Sequence, residues 1–178
     1  MELLPRIGVF AASFVLLIFS GCESSDNSEM REYVDSFLRV PLVTEGTTEA
    51  QLELKRNTDG ASDTETIAAV REFVERSMPQ VKEFAANYRA LHPPEQIRWE
   101  HAVFVQALDN FVAALERLVA ALDGVDSRQE ALLVYFREIE PAQRALERSC
   151  WSLERVADEE GFELRCGAFD LSSPEGVL

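Results

Sequence analysis

The chain has 178 residues, 32 acidic against 17 basic side chains, and a formal net charge of −15. That surplus repels nucleic acid and anionic lipid headgroups, so neither a nucleic-acid partner nor a polybasic membrane-binding face is expected. The length, with 47% hydrophobic residues, suits one domain with a real core.

Taken in chain order, the first element is a targeting segment. Arg6 gives a weak positive start, and Ile7 to Phe19 is apolar apart from Gly8 and Ser13. The stretch is too short to span a bilayer as a stable helix but right for the apolar region of a signal peptide. It closes on Phe19-Ser20-Gly21-Cys22. This layout resembles the lipobox of bacterial prolipoproteins, with Phe19 where leucine is usual. The resemblance covers residues 1–22. It implies that residues 1–21 are a signal peptide and that Cys22 is lipidated and becomes the mature N-terminus. Lipoproteins of this type carry more than one acyl chain, which makes anchoring stable where a single chain is marginal. The implied setting is the cell envelope, with the domain outside the cytoplasm. The anchor would sit in the outer face of the plasma membrane or in an outer membrane. The alternative is ordinary secretory cleavage, which leaves Cys22 as a free or paired thiol. Residues 22–29 are short and polar and read as a tether. Residues 30–178 then form the domain and a short C-terminal tail.

Four helical segments follow. The first, over about Ser28–Leu38, gathers Met30, Tyr33, Val34, Phe37 and Leu38 on one face, and Pro41 follows its end. Residues 42–60 read as loop, strand or a short helix from about Glu49 to Arg56. The second helix opens with Ser62 and Glu65 in a capping box. Its stripe is Ile67, Val70, Val74, Met78, Val81, Phe84 or Ala85, Tyr88 and Leu91, with a kink expected near Pro79. His92-Pro93-Pro94 breaks the chain, and Pro94 is placed to start the third helix, about Pro94–Leu122. Its heptad seam is Ile97, His101, Phe104, Leu108, Phe111, Leu115, Leu118 and Leu122, widened by Val103, Ala107, Val112, Ala114 and Val119. The fourth helix begins with a second capping box, Ser127 and Glu130. It follows Leu132, Phe136, Ile139, Gln143, Leu146, Cys150, Leu153 and Val156 or Ala157, kinks or restarts at Pro141, and stops at Gly161.

Short connections between these segments imply antiparallel hairpins. The expected fold is all-α: an antiparallel bundle of three long helices plus a shorter N-terminal one. In overall look the domain is similar to uncharacterised helical envelope proteins, and that likeness implies no specific family and no activity.

The residues that carry chemistry are few. A Cys150–Cys166 disulfide is expected in an oxidising compartment, stapling the tail to the last helix for about 3 kcal/mol in the chain-entropy model. The alternative is two reduced thiols, with Cys150 filling core space. Neither cysteine lies in a CxxC motif or has a histidine at metal-ligand spacing. The two histidines, His92 and His101, are too far apart along the chain to share an ion. His101 lies on the seam and points inward. Partners for it are sought among Glu72, Glu75 and Glu83 of the second helix, and Glu138, Glu140, Glu147 and Gln143 of the fourth. A buried His–Glu pair binds a metal or senses pH, which makes His101 the one candidate metal residue. A core histidine satisfied by a single hydrogen bond is the plain reading. The aromatic residues Trp99, Phe104, Phe111, Tyr135, Phe136 and Trp151 read as core. There is no HExxH, ExxH, CxxCH, GxSxG or glycine-rich phosphate loop. No catalytic residue and no cofactor are therefore expected. The leading reading is a non-catalytic interaction or structural module with an envelope protein as partner. The other is a ligand or metal carrier with its site in the bundle interior near His101.

Overall fold

The structure, a computed structural model, describes residues 25–40 and 52–166. The signal segment, Cys22, residues 41–51 and the tail beyond Cys166 lie outside the described residues. What is described is all-α, a bundle with no strand among these residues. Its helices are α1 (Ser25–Arg39), α2 (Asp63–Arg89), α3 (Arg98–Leu122), α4 (Arg128–Glu138) and α5 (Glu140–Glu159), with a short helical stretch at 52–58. Helix α1 starts at Ser25, so residues 25–29 of the expected tether are helical.

The helix ends follow local rules. At Ser62 the capping box is complete: the Glu65 N–H donates to Ser62 Oγ at 3.3 Å, and the Ser62 N–H donates to Glu65 Oε2 at 2.8 Å. At Ser127 only the hydroxyl caps, accepting from the Glu130 N–H at 3.3 Å. Gly161 adopts φ 83°, a left-handed conformation that costs glycine little. Around it the Phe162 N–H donates to Ala157 O at 2.8 Å and the Gly161 N–H to Asp158 O at 3.0 Å. This is the Schellman pattern, and it turns the chain back along α5.

One boundary corrects the sequence reading: the third helix does not start at Pro94. Pro94 caps a 3-10 turn, Glu95–Ile97, and α3 proper starts at Arg98. Helix α2 is continuous through Pro79. Of the two outcomes expected at Pro141, the fourth helix restarts: Ile139 is both the cap of α4 and the first cap of α5, which places Pro141 in the first turn of α5, where its missing N–H costs nothing. This restart also changes which face of α4 is buried. Ala131 and Val134 point to the core, whereas the seam residue Phe136 is 39% exposed.

Helix α3 is the central rod, packed against α2, α4 and α5. Ion pairs fix its register on α2: Arg71 meets Asp123, Lys82 meets Glu116 at 2.6 Å, and Arg89 meets Asp109. As one number rises the other falls, so the two helices are antiparallel. Helix α1 runs parallel to α3, because Tyr33 contacts His101 and Phe37 contacts Phe104. An aromatic cluster of Phe37, Phe84, Tyr88 and Phe104 fills the junction of α1, α2 and α3, with ring centroids 4.6–5.6 Å apart. Such tilted and edge-on pairs add to plain area burial.

Candidate functional site

His101 is buried, 6% exposed, as its seam position predicts. Its partner is not one of the carboxylates of α2 or the fourth helical segment, nor Gln143. Tyr33 Oη of α1 lies 2.9 Å from His101 Nδ1. Gln143 instead donates to Glu147 at 3.2 Å. The reason is topological: α1 covers the end of the bundle where α2 finishes and α3 begins, so its apolar face, not an acidic surface, meets the seam.

The protonation states follow from burial. Desolvation lowers the His101 pKa, partly offset by a hydrogen bond from the ring to the Tyr88 backbone. The ring is therefore neutral near pH 7. Burial, reinforced by the Tyr88 phenol, raises the Tyr33 pKa far above its usual value, so Tyr33 keeps its proton. The ring's bond to the Tyr88 backbone takes the imidazole proton on Nε2, which leaves Nδ1 to accept from Tyr33 Oη. Tyr88 is likewise pushed up, to about 12, by burial.

Tyr33 has a second role. It lines a cleft of about 420 Å³ between α1 and the connection from α2 to α3. From α1 the cleft takes Glu29, Glu32, Tyr33 and Ser36, and from the connection Leu91, His92 and Pro94 among others. The two histidines thus come to one end of the bundle without sharing a site. His92 stands in the cleft wall, and His101 lies behind Tyr33. Two carboxylates, a phenol and an imidazole around an open cleft can hold a small positively charged group.

The acidic residues of the fourth helical segment do other work. Glu138 accepts from Arg117 and from Arg137, each at 2.8 Å, and these bonds hold its carboxyl below the ordinary range. Glu140 pairs with Arg144. The two carboxylates thus have separate arginine partners.

Cys150 and Cys166 are joined by a disulfide. The Cys166 N–H donates to Glu154 Oε1 at 2.7 Å, so a carboxylate sits against the bridge. The sequence reading missed Glu154, although Cys150 and Glu154 are four apart on one helix and so share a face. It also missed Tyr33 as a site residue. The available signal was a lone hydroxyl on an otherwise apolar helix face, which demands a partner once buried.

Not all aromatic residues are core. Trp99 is 75% exposed and Trp151 65% exposed, on faces of α3 and α5 turned away from the seam. Leu133 joins Phe136 on the exposed side of α4. No helix among the described residues is long and apolar enough to cross a membrane. Comparison with protein-family models, curated proteins and solved structures returns no match.

Proposed function

We propose that this protein is a non-catalytic carrier of a small cationic ligand, held at the cell envelope by lipid on Cys22. The observation that carries the binding reading is Tyr33, which lines the cleft on one side and is tied to buried His101 on the other. The hydrogen bond fixes the phenol in place, so the cleft wall is ordered before a ligand arrives, which lowers the cost of binding. Glu29 and Glu32 supply negative charge, and the overall charge of −15 draws cations towards it. The site therefore lies near His101, with Tyr33 interposed, and needs no metal at the imidazole.

Native mass spectrometry of the protein purified from its own envelope tests this. The expected spectrum shows a ligand-bearing species that is depleted in Tyr33→Phe and Glu32→Gln. A bare mass, under conditions where a control carrier keeps its ligand, would overturn the reading. The same spectrum reads the anchor, which requires a chain beginning at Cys22 with added acyl mass.

A second reading, an interaction module, is favoured by exposed Trp99 and Trp151. Tryptophan is enriched at the energetic centres of interfaces. The double variant Trp99→Ser, Trp151→Ser separates the two readings, because it leaves cleft binding intact and removes any co-purifying protein partner.

A further inference from the structure

We propose that Cys150, Cys166 and Glu154 form a redox-gated binding site for a thiophilic divalent cation, Zn²⁺ above all, open only when the disulfide is reduced. The site is separate from the cleft, and the proposal does not depend on it.

The three side chains offer two sulfurs and a carboxylate oxygen, all within 4.8 Å of one another. Cys150 and Glu154 share one face of α5, and the turn at Gly161 returns Cys166 to it. The two cysteine Cα atoms are 6.0 Å apart. A tetrahedral Zn²⁺ with Zn–S bonds of about 2.3 Å holds its sulfurs roughly 3.7 Å apart. Reduced sulfurs must separate anyway, and side-chain rotation from this backbone spacing covers the distance. Cys166 follows the end of α5 on irregular backbone, so it can yield where the helical Cys150 cannot.

The surroundings suit a metal. Both cysteines are buried, which limits competition from water. The Cys166 N–H donates to Glu154 Oε1, an orienting bond of the kind that supports metal ligands. Two thiolates and one carboxylate exceed the charge of a divalent ion by one. Arg165, next in the chain to Cys166, is paired with Asp158 at 3.2 Å and with Glu163 at 3.7 Å. Three protein ligands leave the fourth position open to water or a small anion.

The chemistry balances as thiol–disulfide exchange. A dithiol reductant supplies two electrons and two protons; the S–S bond breaks, two thiols form, and the reductant becomes a disulfide. The cation then displaces both thiol protons to solvent as two metal–sulfur bonds form. Exchange with an oxidised disulfide partner re-forms the Cys150–Cys166 bond and releases the ion, while the partner takes the two electrons and two protons from solvent to become a dithiol.

The test is Co²⁺ titration of the full chain carrying Cys22→Ser, which leaves these two as the only cysteines. After reduction and removal of the reductant, the chain should bind one Co²⁺ with thiolate-to-cobalt charge-transfer bands and tetrahedral d–d bands, and Zn²⁺ should abolish both. The oxidised chain should show neither. Glu154→Gln should weaken binding about tenfold or more, since loss of even an outer-shell partner costs that much. Cys150→Ser should remove the charge-transfer bands from its sulfur while circular dichroism confirms the helices. The proposal fails if oxidised and reduced chains bind alike, if no charge-transfer band appears, or if Glu154→Gln binds as the parent does. It also fails if reduction unfolds the chain and Co²⁺ does not restore it.

Discussion

The bond between Tyr33 and His101 joins two residues 68 positions apart, and its chemistry depends on both staying neutral. Burial lowers the His101 pKa below its ordinary 6.5, with the Tyr88 backbone bond opposing. As pH falls below 6.5, the unfolded chain takes up a proton that the folded chain refuses. Stability attached to neutral His101 is therefore complete above that pH and is lost as pH falls towards the folded-state value. Melting temperatures measured across this range should fall less steeply on the acid side in His101→Gln than in the parent. Curves of equal slope would show that the ring is not held neutral by its surroundings. The burial of His101 was legible from the heptad seam, because period alone places a side chain inside or outside. The partner was not legible, since it comes from a helix far away in the chain.

At the scale of elements, short-range chemistry decided most boundaries. Ser62 with Glu65 starts α2, and Gly161 stops α5, each through hydrogen bonds to neighbours within a few residues. The two interior prolines behave differently because of where the turns fall. Pro141 lies in the first turn of α5, where no intrahelical partner is lost. Pro79 lies deep in α2, so the Glu75 carbonyl loses its donor. Pro79 is exposed and adds no core packing. Pro79→Ala should then stabilise the fold by about 1–3 kcal/mol, given the propensity gap between the two residues, as read by urea denaturation. A destabilised variant would mean that the packing of α2 on α3 depends on the proline. The restart at Ile139 shows the limit of a periodic reading. A seam drawn straight through it assigns Phe136 to the core, but one break re-phases α4 and exposes that ring.

Across the whole molecule, the Cys150–Cys166 bridge holds the chain after Gly161 against α5, with Leu164 fully buried beneath. The bridge closes a loop of sequence separation 16, worth about 3 kcal/mol through the unfolded state. Reduction should lower unfolding free energy by about that much and still leave a cooperative transition, because the aromatic cluster and the α2–α3 register lie elsewhere. A chain that loses its helices on reduction alone would show the bridge to be essential to folding.

Read without coordinates, the chain determined its all-α class, the main helices, the cap at Ser62 and the stop at Gly161, the inward position of His101 and the expected disulfide. These rest on residue type and on periods of three and four, which act within one or two helical turns. The partner of His101, the cleft beside Tyr33, the meeting of Glu154 with two cysteines and the exposure of Trp99 and Trp151 were decided only by tertiary structure. Each depends on which helix lies beside which, a choice set by the sum of burial and connection geometry over the whole bundle.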